Sequence, residues 1–350
     1  MQELIASLLS ESGWFSSWSP TLVTTVFVAL AALVFVSLAA VNALILVYLE
    51  RKVSAHMQDR LGPMEVGPHG VLQTLADAVK LLLKEDIVPQ NADRFLHLMA
   101  PFLVFASAIA AFVALPYSSD FLLTNFDIGV LFVIAITSLT VIGIIIAGWA
   151  SNNKWSLLGG MRSAAQIVSY EIPTALALLV IIMETGSLNF QQIANAQAGG
   201  IHHWFLLQYF PFNLIAFLIF FIASLAEVNR TPFDLPEAES ELVAGFMTEY
   251  SGFKWAVFFL SEYANMFVVS AVGAAVFLGA YQSPFGSFLN GGLWGVFWFI
   301  AKAYGLVLVQ IWLRWTLPRL RVDQLMYTSW KVLTPFAFAC IFAVGLWMLL

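Results

Sequence analysis

Apolar residues run almost unbroken through eight stretches of the chain: Thr21 to Tyr48, Leu98 to Leu115, Ile128 to Trp149, Ala164 to Met183, Phe205 to Ala226, Trp255 to Tyr281, Leu293 to Trp312 and Val332 to Leu350. Most reach the roughly 20 residues a helix needs to cross a bilayer. The runs are continuous rather than alternating, which excludes a spanning β-barrel, whose strands show about ten residues of alternating polarity. The pattern predicts an all-α integral membrane protein of about eight transmembrane helices. One segment has a different rhythm. Between Gly70 and Lys84, the polar residues Gln73, Asp77, Lys80 and Lys84 recur on one helical face, while Leu72, Leu75, Val79, Leu82 and Leu83 occupy the other. Too short to span, it predicts an amphipathic helix in the membrane interface, with an ordinary surface helix as the alternative.

Composition agrees and narrows the chemistry. The 350 residues are 61% hydrophobic and 10% charged, where a soluble domain carries roughly a quarter charged residues. A soluble fold is excluded. The single cysteine, Cys340, lies in the last apolar run, so the thiols of this chain build no iron–sulfur cluster, zinc site or internal disulfide. No glycine-rich phosphate loop follows a strand, and no nucleophile elbow or zinc-binding helix appears. No flavin, iron–sulfur cluster or metal is expected to be held here. Met1 to Pro20 carries Glu3 and Glu11 but no basic residue, so no cleavable signal is expected. Trp14 and Trp18 stand where an interfacial pair belongs.

The basic residues give an orientation. Arg51, Lys52, Arg60, Lys80, Lys84 and Arg94 follow the first run, Lys154 and Arg162 the third, Arg230 and Lys254 the fifth, and Arg314, Arg319, Arg321 and Lys331 the seventh. The opposite side receives none. By the positive-inside rule both termini face the periplasm and the long loops the cytoplasm. The chain, 1–350, then reads as a single transmembrane domain. Its first cytoplasmic loop is at 50–97, with the interfacial helix at 70–84, and an acidic cytoplasmic loop is at 227–254.

Candidate chemistry sits in that acidic loop and inside the membrane. Glu227, Asp234, Glu237, Glu239, Glu241 and Glu249 crowd one loop, where Pro232 and Pro236 forbid a continuous helix. Acidic loops are often simply solvated; here Phe233, Leu235, Leu242, Val243 and Phe246 alongside point equally to partial burial. Glu171 falls about 16 Å into its span and Glu262 about 12 Å into its own, at 1.5 Å per residue, and Lys302 is near the middle of the seventh run. Each such charge costs on the order of 2.5–3.5 kcal/mol to place. Two readings stay open: Lys302 pairs with a glutamate as interhelical glue, or the carboxylates relay protons and a nearby lysine sets their affinity. Glu184, Asp120 and Asp127 read as solvated at the outer side, and His202 and His203 have no metal-site spacing.

At its loops the sequence resembles the H-type membrane subunit of respiratory complex I, called subunit 1 in mitochondria. The segments that carry the resemblance are ERKVSAHMQDRLGPMEVGPHG from Glu50, LADAVKLLLKED from Leu75, GWASNNKWSLLGGMRSAAQIVSYEIP from Gly148, EVNRTPFDLPEAESELVAGFMTEYSG from Glu227, SEYANM from Ser261 and LPRLRVDQLM from Leu317. They extend over nearly the whole chain. The resemblance implies a membrane subunit of a proton-pumping NADH:quinone oxidoreductase, not catalytic alone, in which quinone (ubiquinone or menaquinone) is the substrate. With soluble quinone-site and iron–sulfur subunits it would form the quinone chamber, and a glutamate chain would lead toward antiporter-like membrane subunits. Carried over by motif, Arg51, Arg60, Asp77, Arg230 and Asp234 belong to the chamber. Glu171, Glu227, Glu237, Glu239, Glu241, Glu249 and Glu262 belong to the proton relay. One of His56, His69 and His97 is a candidate proton donor near the quinone. Met64, Glu65 and His69 depart from the family pattern at the chamber mouth. Glu262 is the residue that photosynthetic relatives tend to lack, which favours the NADH-driven complex. The expected location is the bacterial inner membrane. Two rival readings are a passive anchor for soluble redox subunits and a stand-alone ion-coupled transporter.

Overall fold

The computed structural model describes residues 20–119, 125–236, 239–286 and 288–350. Trp14, Trp18, Glu3, Glu11, Asp120 and Glu237 lie outside the described residues. All regular structure among the described residues is helical: α1 (Pro20–Met57), α2 (Gln73–Leu83), α3 (Arg94–Val113), α4 (Gly129–Ala150), α5 (Lys154–Thr185), α6 (Phe190–Ala196), α7 (Phe212–Glu227), α8 (Glu239–Leu242), α9 (Gly252–Phe277), α10 (Gly292–Thr316), α11 (Val322–Tyr327) and α12 (Thr334–Leu349), the last two joined through a π-helical turn at Thr328–Leu333. Among them, seven helical segments are long and apolar enough to cross a membrane, and α7 is a shorter apolar helix. The chain is thus an all-α integral membrane protein.

Two expected boundaries move. α1 does not stop at Tyr48 but continues to Met57, so Glu50, Arg51 and Lys52 lie on a helix and not in a loop. Nothing in Glu-Arg-Lys breaks a helix, and the chain turns only at Asp59, a residue with φ 51°. α7 begins at Phe212 rather than Phe205. The apolar run is continuous there, but Pro211 carries no N–H and pushes the residue before it out of helical conformation.

Local chemistry fixes the other ends. Asp93 caps α3 by accepting from the N–H groups of Phe95 and Leu96. Asn153 caps α5 through Trp155 N–H, and Gly186, at φ 66°, closes it in the left-handed conformation. Pro173 removes from α5 the hydrogen bond that would reach the carbonyl of Ser169. Ser329 Oγ, from the π-helical turn, donates to that carbonyl at 2.6 Å, so the freed acceptor stays satisfied inside the apolar bundle.

α9 sits at the centre, against α1, α3, α7 and α10, while α5 packs on α4, α7 and α12. Small residues allow the closest approaches. A Cβ at Gly159 would come within 2.7 Å of Gly245, so this glycine lets the end of the acidic loop lie directly on α5. The start of that loop is tied to α5 as well: Gln166 Nε2 donates to the carbonyls of Ala226 at 2.7 Å and Phe233 at 2.8 Å, and to Asn229 Oδ1 at 3.0 Å.

Candidate functional site

Because α1 stays helical past Tyr48, consecutive residues at its end face different ways. Glu50 turns inward and is 6% exposed; Arg51 turns outward and pairs with Asp77 of α2. Glu50 meets a cluster drawn from three other segments. Arg230, three residues beyond α7, approaches Glu50 Oε1 at 3.5 Å and Glu262 Oε1 of α9 at 3.0 Å. Its guanidinium lies 4.4 Å from the ring centroid of Tyr263. The Tyr263 hydroxyl donates to Glu50 Oε2 at 2.8 Å, and Arg314, near the end of α10, pairs with Glu50 Oε1. Burial works against charge on Arg230, but Glu262, Glu50 and Tyr263 outweigh it and hold the guanidinium well above the ordinary arginine value. Two carboxylates and two guanidiniums therefore form one buried network, the form in which enclosed charge is tolerable.

Cavities connect this network to the deeper carboxylates. A chamber of about 350 Å³ is lined by Glu50, Arg51, Arg230, Glu262, Tyr263 and Arg314. Glu262 also borders a small cavity of about 30 Å³, whose lining includes Thr140, Asn229, Asn265 and Glu227. Glu227 in turn borders a second cavity of about 30 Å³, which contains Thr137, Thr174 and Glu171. A water needs roughly 10–15 Å³ and two to four polar partners, and both cavities supply these. Oε1 of Glu171 is buried without a hydrogen-bond partner among the described residues. Glu50, Arg230 and Glu262 are thus in direct ion-pair contact, while Glu262 and Glu227, and then Glu227 and Glu171, share the walls of water-sized cavities. The chamber adjoins an apolar groove of about 400 Å³ between α1, α2 and α9, and the two share Val47, Arg51, Trp255, Phe259 and Tyr263.

The structure brings Arg230, Glu262, Glu227 and Glu171 together and places Arg51 and Asp77 at the chamber and groove. Among the described residues, the other candidates do not line the chamber or the two small cavities. Arg60 is exposed and lines neither chamber nor groove. Asp234 pairs with Arg319 at 3.5 Å, Glu241 pairs with Arg162 at 2.8 Å, and Glu249 accepts from Asn153 Nδ2. Glu239 opens α8, but its side chain, like Glu237, is outside the described residues. Lys302 touches neither Glu171 nor Glu262. Its ammonium donates to the carbonyls of Ala280 at 2.9 Å and Gln282 at 2.7 Å and lies 4.4 Å from the Trp204 ring centroid. Both sequence readings of Lys302, glue to a glutamate and tuner of a glutamate, are corrected: α9 ends at Phe277, and the chain after it brings backbone acceptors to the lysine first. Glu184 is also corrected, since its carboxylate oxygens are buried rather than solvated. His97 lies inside the first turn of α3 and not in a loop, stacked on Tyr250 with ring centroids 4.0 Å apart.

Glu50, Tyr263 and Arg314 belong to the network, and hydropathy and motif alone do not single them out. A signal exists for two of them. Glu50 lies one helical turn beyond Leu46, a core residue of α1, and Tyr263 directly follows Glu262. Arg314, flanked by apolar residues at the end of its run, looks like any other residue of a basic loop.

The sequence profile of the family described as NADH dehydrogenase matches residues 29–345. The H-type subunit of the NADH-quinone oxidoreductase of Chlorobium luteolum is 55% identical over 92% of this chain and 88% of that protein. Its counterpart in Chlorobaculum parvum is 51% identical over 97% of this chain and 96% of its own length, and that of Anaeromyxobacter dehalogenans is 46% identical over 97% and 85%. Matches of this extent place the resemblance seen in the loops on the whole chain, which belongs to the NADH dehydrogenase family, among the H-type membrane subunits of NADH-quinone oxidoreductase.

Proposed function

We propose that this chain forms the membrane wall of a quinone-reduction chamber and carries a carboxylate relay that couples quinone reduction to proton movement. The observation that carries the reading is the string of cavities in which Glu262 and Glu227 each border two spaces. Quinone reduction consumes two electrons and two protons, the electrons arriving from an iron–sulfur cluster in a soluble partner. The apolar groove suits the isoprenoid tail, and the chamber offers guanidinium donors to quinone oxygens that gain negative charge on reduction. As that charge appears and is neutralised, the balance around Arg230 changes, and Glu262, Glu227 and Glu171 take up or release protons in order, through water in the gaps. The coupling is electrostatic.

In this reading the acidic loop, with Asp234, Glu237, Glu239, Glu241 and Glu249, faces the cytoplasm and gathers protons at the surface, and Arg60 lies near the quinone path. The protein resides in the bacterial inner membrane with both termini periplasmic. Antiporter-like membrane subunits receive the output of Glu171. The test is Glu171→Gln and Glu262→Gln in the assembled complex reconstituted in liposomes. Pumping and quinone reductase turnover are expected to fall together, by roughly 10²-fold if each carboxyl acts as a proton donor or acceptor. Unchanged pumping in both variants defeats the relay and favours the passive anchor.

A further inference from the structure

A second cleft, of about 430 Å³, lies outside the chamber where α2 meets the start of α9, and its walls include Arg51, Asp77, Lys80, Lys84 and Trp255. Its charges do not balance. Asp77 is taken up by Arg51 and accepts from Gln73 Nε2 at 3.1 Å. Of the acids that follow α2, Asp86 is held by Lys254 at 2.8 Å, and Glu85 is exposed and lies outside the lining. Lys80 and Lys84 stand one helical turn apart, both exposed, and among the described residues neither has a carboxylate within 4.0 Å.

The backbone adds to the same sign. Gly252, at φ 56°, lets the first turn of α9 press on the carbonyl of Lys84, which a Cβ would approach to 2.8 Å. The N-terminus of a 26-residue helix therefore opens beside the lysines, with its partial positive charge. The cleft also shares Arg51, Asp77, Leu81 and Trp255 with the apolar groove. At the groove's open edge Leu82 is 62% and Phe253 47% exposed. A ligand that satisfies both surfaces has an anionic head and a hydrocarbon tail. Quinone carbonyls can accept hydrogen bonds, but a neutral quinone does not compensate the charge of two unpaired ammonium groups.

We infer that this cleft binds the phosphate headgroup of an anionic phospholipid, with an acyl chain along the exposed outer edge at Leu82 and Phe253, outside the part of the groove given to a quinone tail. The inference goes beyond the quinone reading, and its test counts bound lipid rather than turnover, so the two fail separately. The assembled complex, purified in detergent, is incubated with mixed micelles of phosphatidylglycerol and phosphatidylcholine and washed, and the retained lipid is quantified by mass spectrometry. The native complex is expected to keep one more phosphatidylglycerol per complex than the double variant Lys80→Gln/Lys84→Gln. The variant is expected to bind it about 30-fold more weakly, since each basic residue contributes about 1 kcal/mol and 1.4 kcal/mol is tenfold. Lys80→Arg/Lys84→Arg is expected to retain it. Equal retention in the native complex and the glutamine variant overturns the inference. So does displacement by millimolar inorganic phosphate, which marks a free-anion site, and so does loss of soluble subunits from the glutamine variant with its lipid count unchanged, which makes the lysines a docking face for an acidic protein.

Discussion

At one end of the bundle Glu50, Arg230, Glu262 and Arg314 neutralise one another around a chamber, while at the other Lys302 is held by two backbone carbonyls and the face of Trp204. Both are charges in an apolar bundle, but they are stabilised in different ways. The first group is a set of mutually paired ionisable side chains beside cavities, so a change of charge on one member changes the balance of all. Lys302 is paired with backbone carbonyls, which do not titrate. In the proposed reading, buried charge serves a relay where its partners are themselves ionisable and water has room between them; held by backbone dipoles, it serves as a joint between segments.

The most severe way to break the first arrangement is Arg230→Ala. It leaves Glu50 and Glu262 facing each other with only Arg314 as compensation, and truncating one partner of a buried ion pair costs about 3–5 kcal/mol. The expected outcome is a lower melting temperature of the assembled complex or loss of this subunit from it, read by thermal scanning and subunit quantification. Arg230→Lys is expected to recover part of the loss, since an ammonium keeps the charge but not the planar stack on Tyr263. An unchanged melting temperature for Arg230→Ala would mean that the network is not charged.

Glu227→Gln sharpens the comparison without emptying the cluster. Glu227 borders both small cavities, so neutralising it interrupts the string while leaving Arg230 paired. Pumping is expected to drop roughly 10²-fold with little change in melting temperature. Thr137→Val, which removes a hydroxyl from the cavity shared with Glu171, is expected to have a weaker effect in the same direction. Normal proton pumping by Glu227→Gln would show that protons reach Glu171 by another path.

Lys302→Met tests the opposite end. It removes two hydrogen bonds from a charged donor, each worth about 1.5–3 kcal/mol, while methionine keeps much of the volume. The expected result is a less stable complex whose ratio of protons pumped to electrons transferred is unchanged. A changed ratio would put Lys302 inside the relay and erase the distinction drawn between the two ends.

Much of this contrast is legible in the sequence. Continuous apolar runs fix helices because no other spanning structure satisfies the backbone, and the polar–apolar rhythm between Gly70 and Lys84 marks α2. Glu171, Glu227, Glu262 and Arg230 stand out because ionisable groups flanked by apolar residues are costly. What escapes is pairing. Whether Lys302 meets a glutamate or a carbonyl depends on where the chain after α9 folds, and periodicity carries no information on that. Glu50 is hidden because a helix that outlasts its apolar run looks like a loop when only hydropathy is read. Glu184 reads as a surface residue because its position at the end of a run says nothing about what packs over it.

The smallest expected effect concerns the acidic loop. Glu241 pairs with Arg162 at 2.8 Å, but its side chain is 58% exposed, and exposed ion pairs contribute about 0–1 kcal/mol. Glu241→Gln is therefore expected to leave the melting temperature nearly unchanged and to lower turnover less than twofold, the loss shrinking as salt rises because exposed charges are screened over about 8–10 Å. The measurement is quinone reductase turnover of the assembled complex at low and high ionic strength. A loss as large as that of Glu227→Gln, and insensitive to salt, would mean that Glu241 turns inward in the assembled complex. The division between a buried relay and a surface that merely feeds it would then have to be redrawn to include α8.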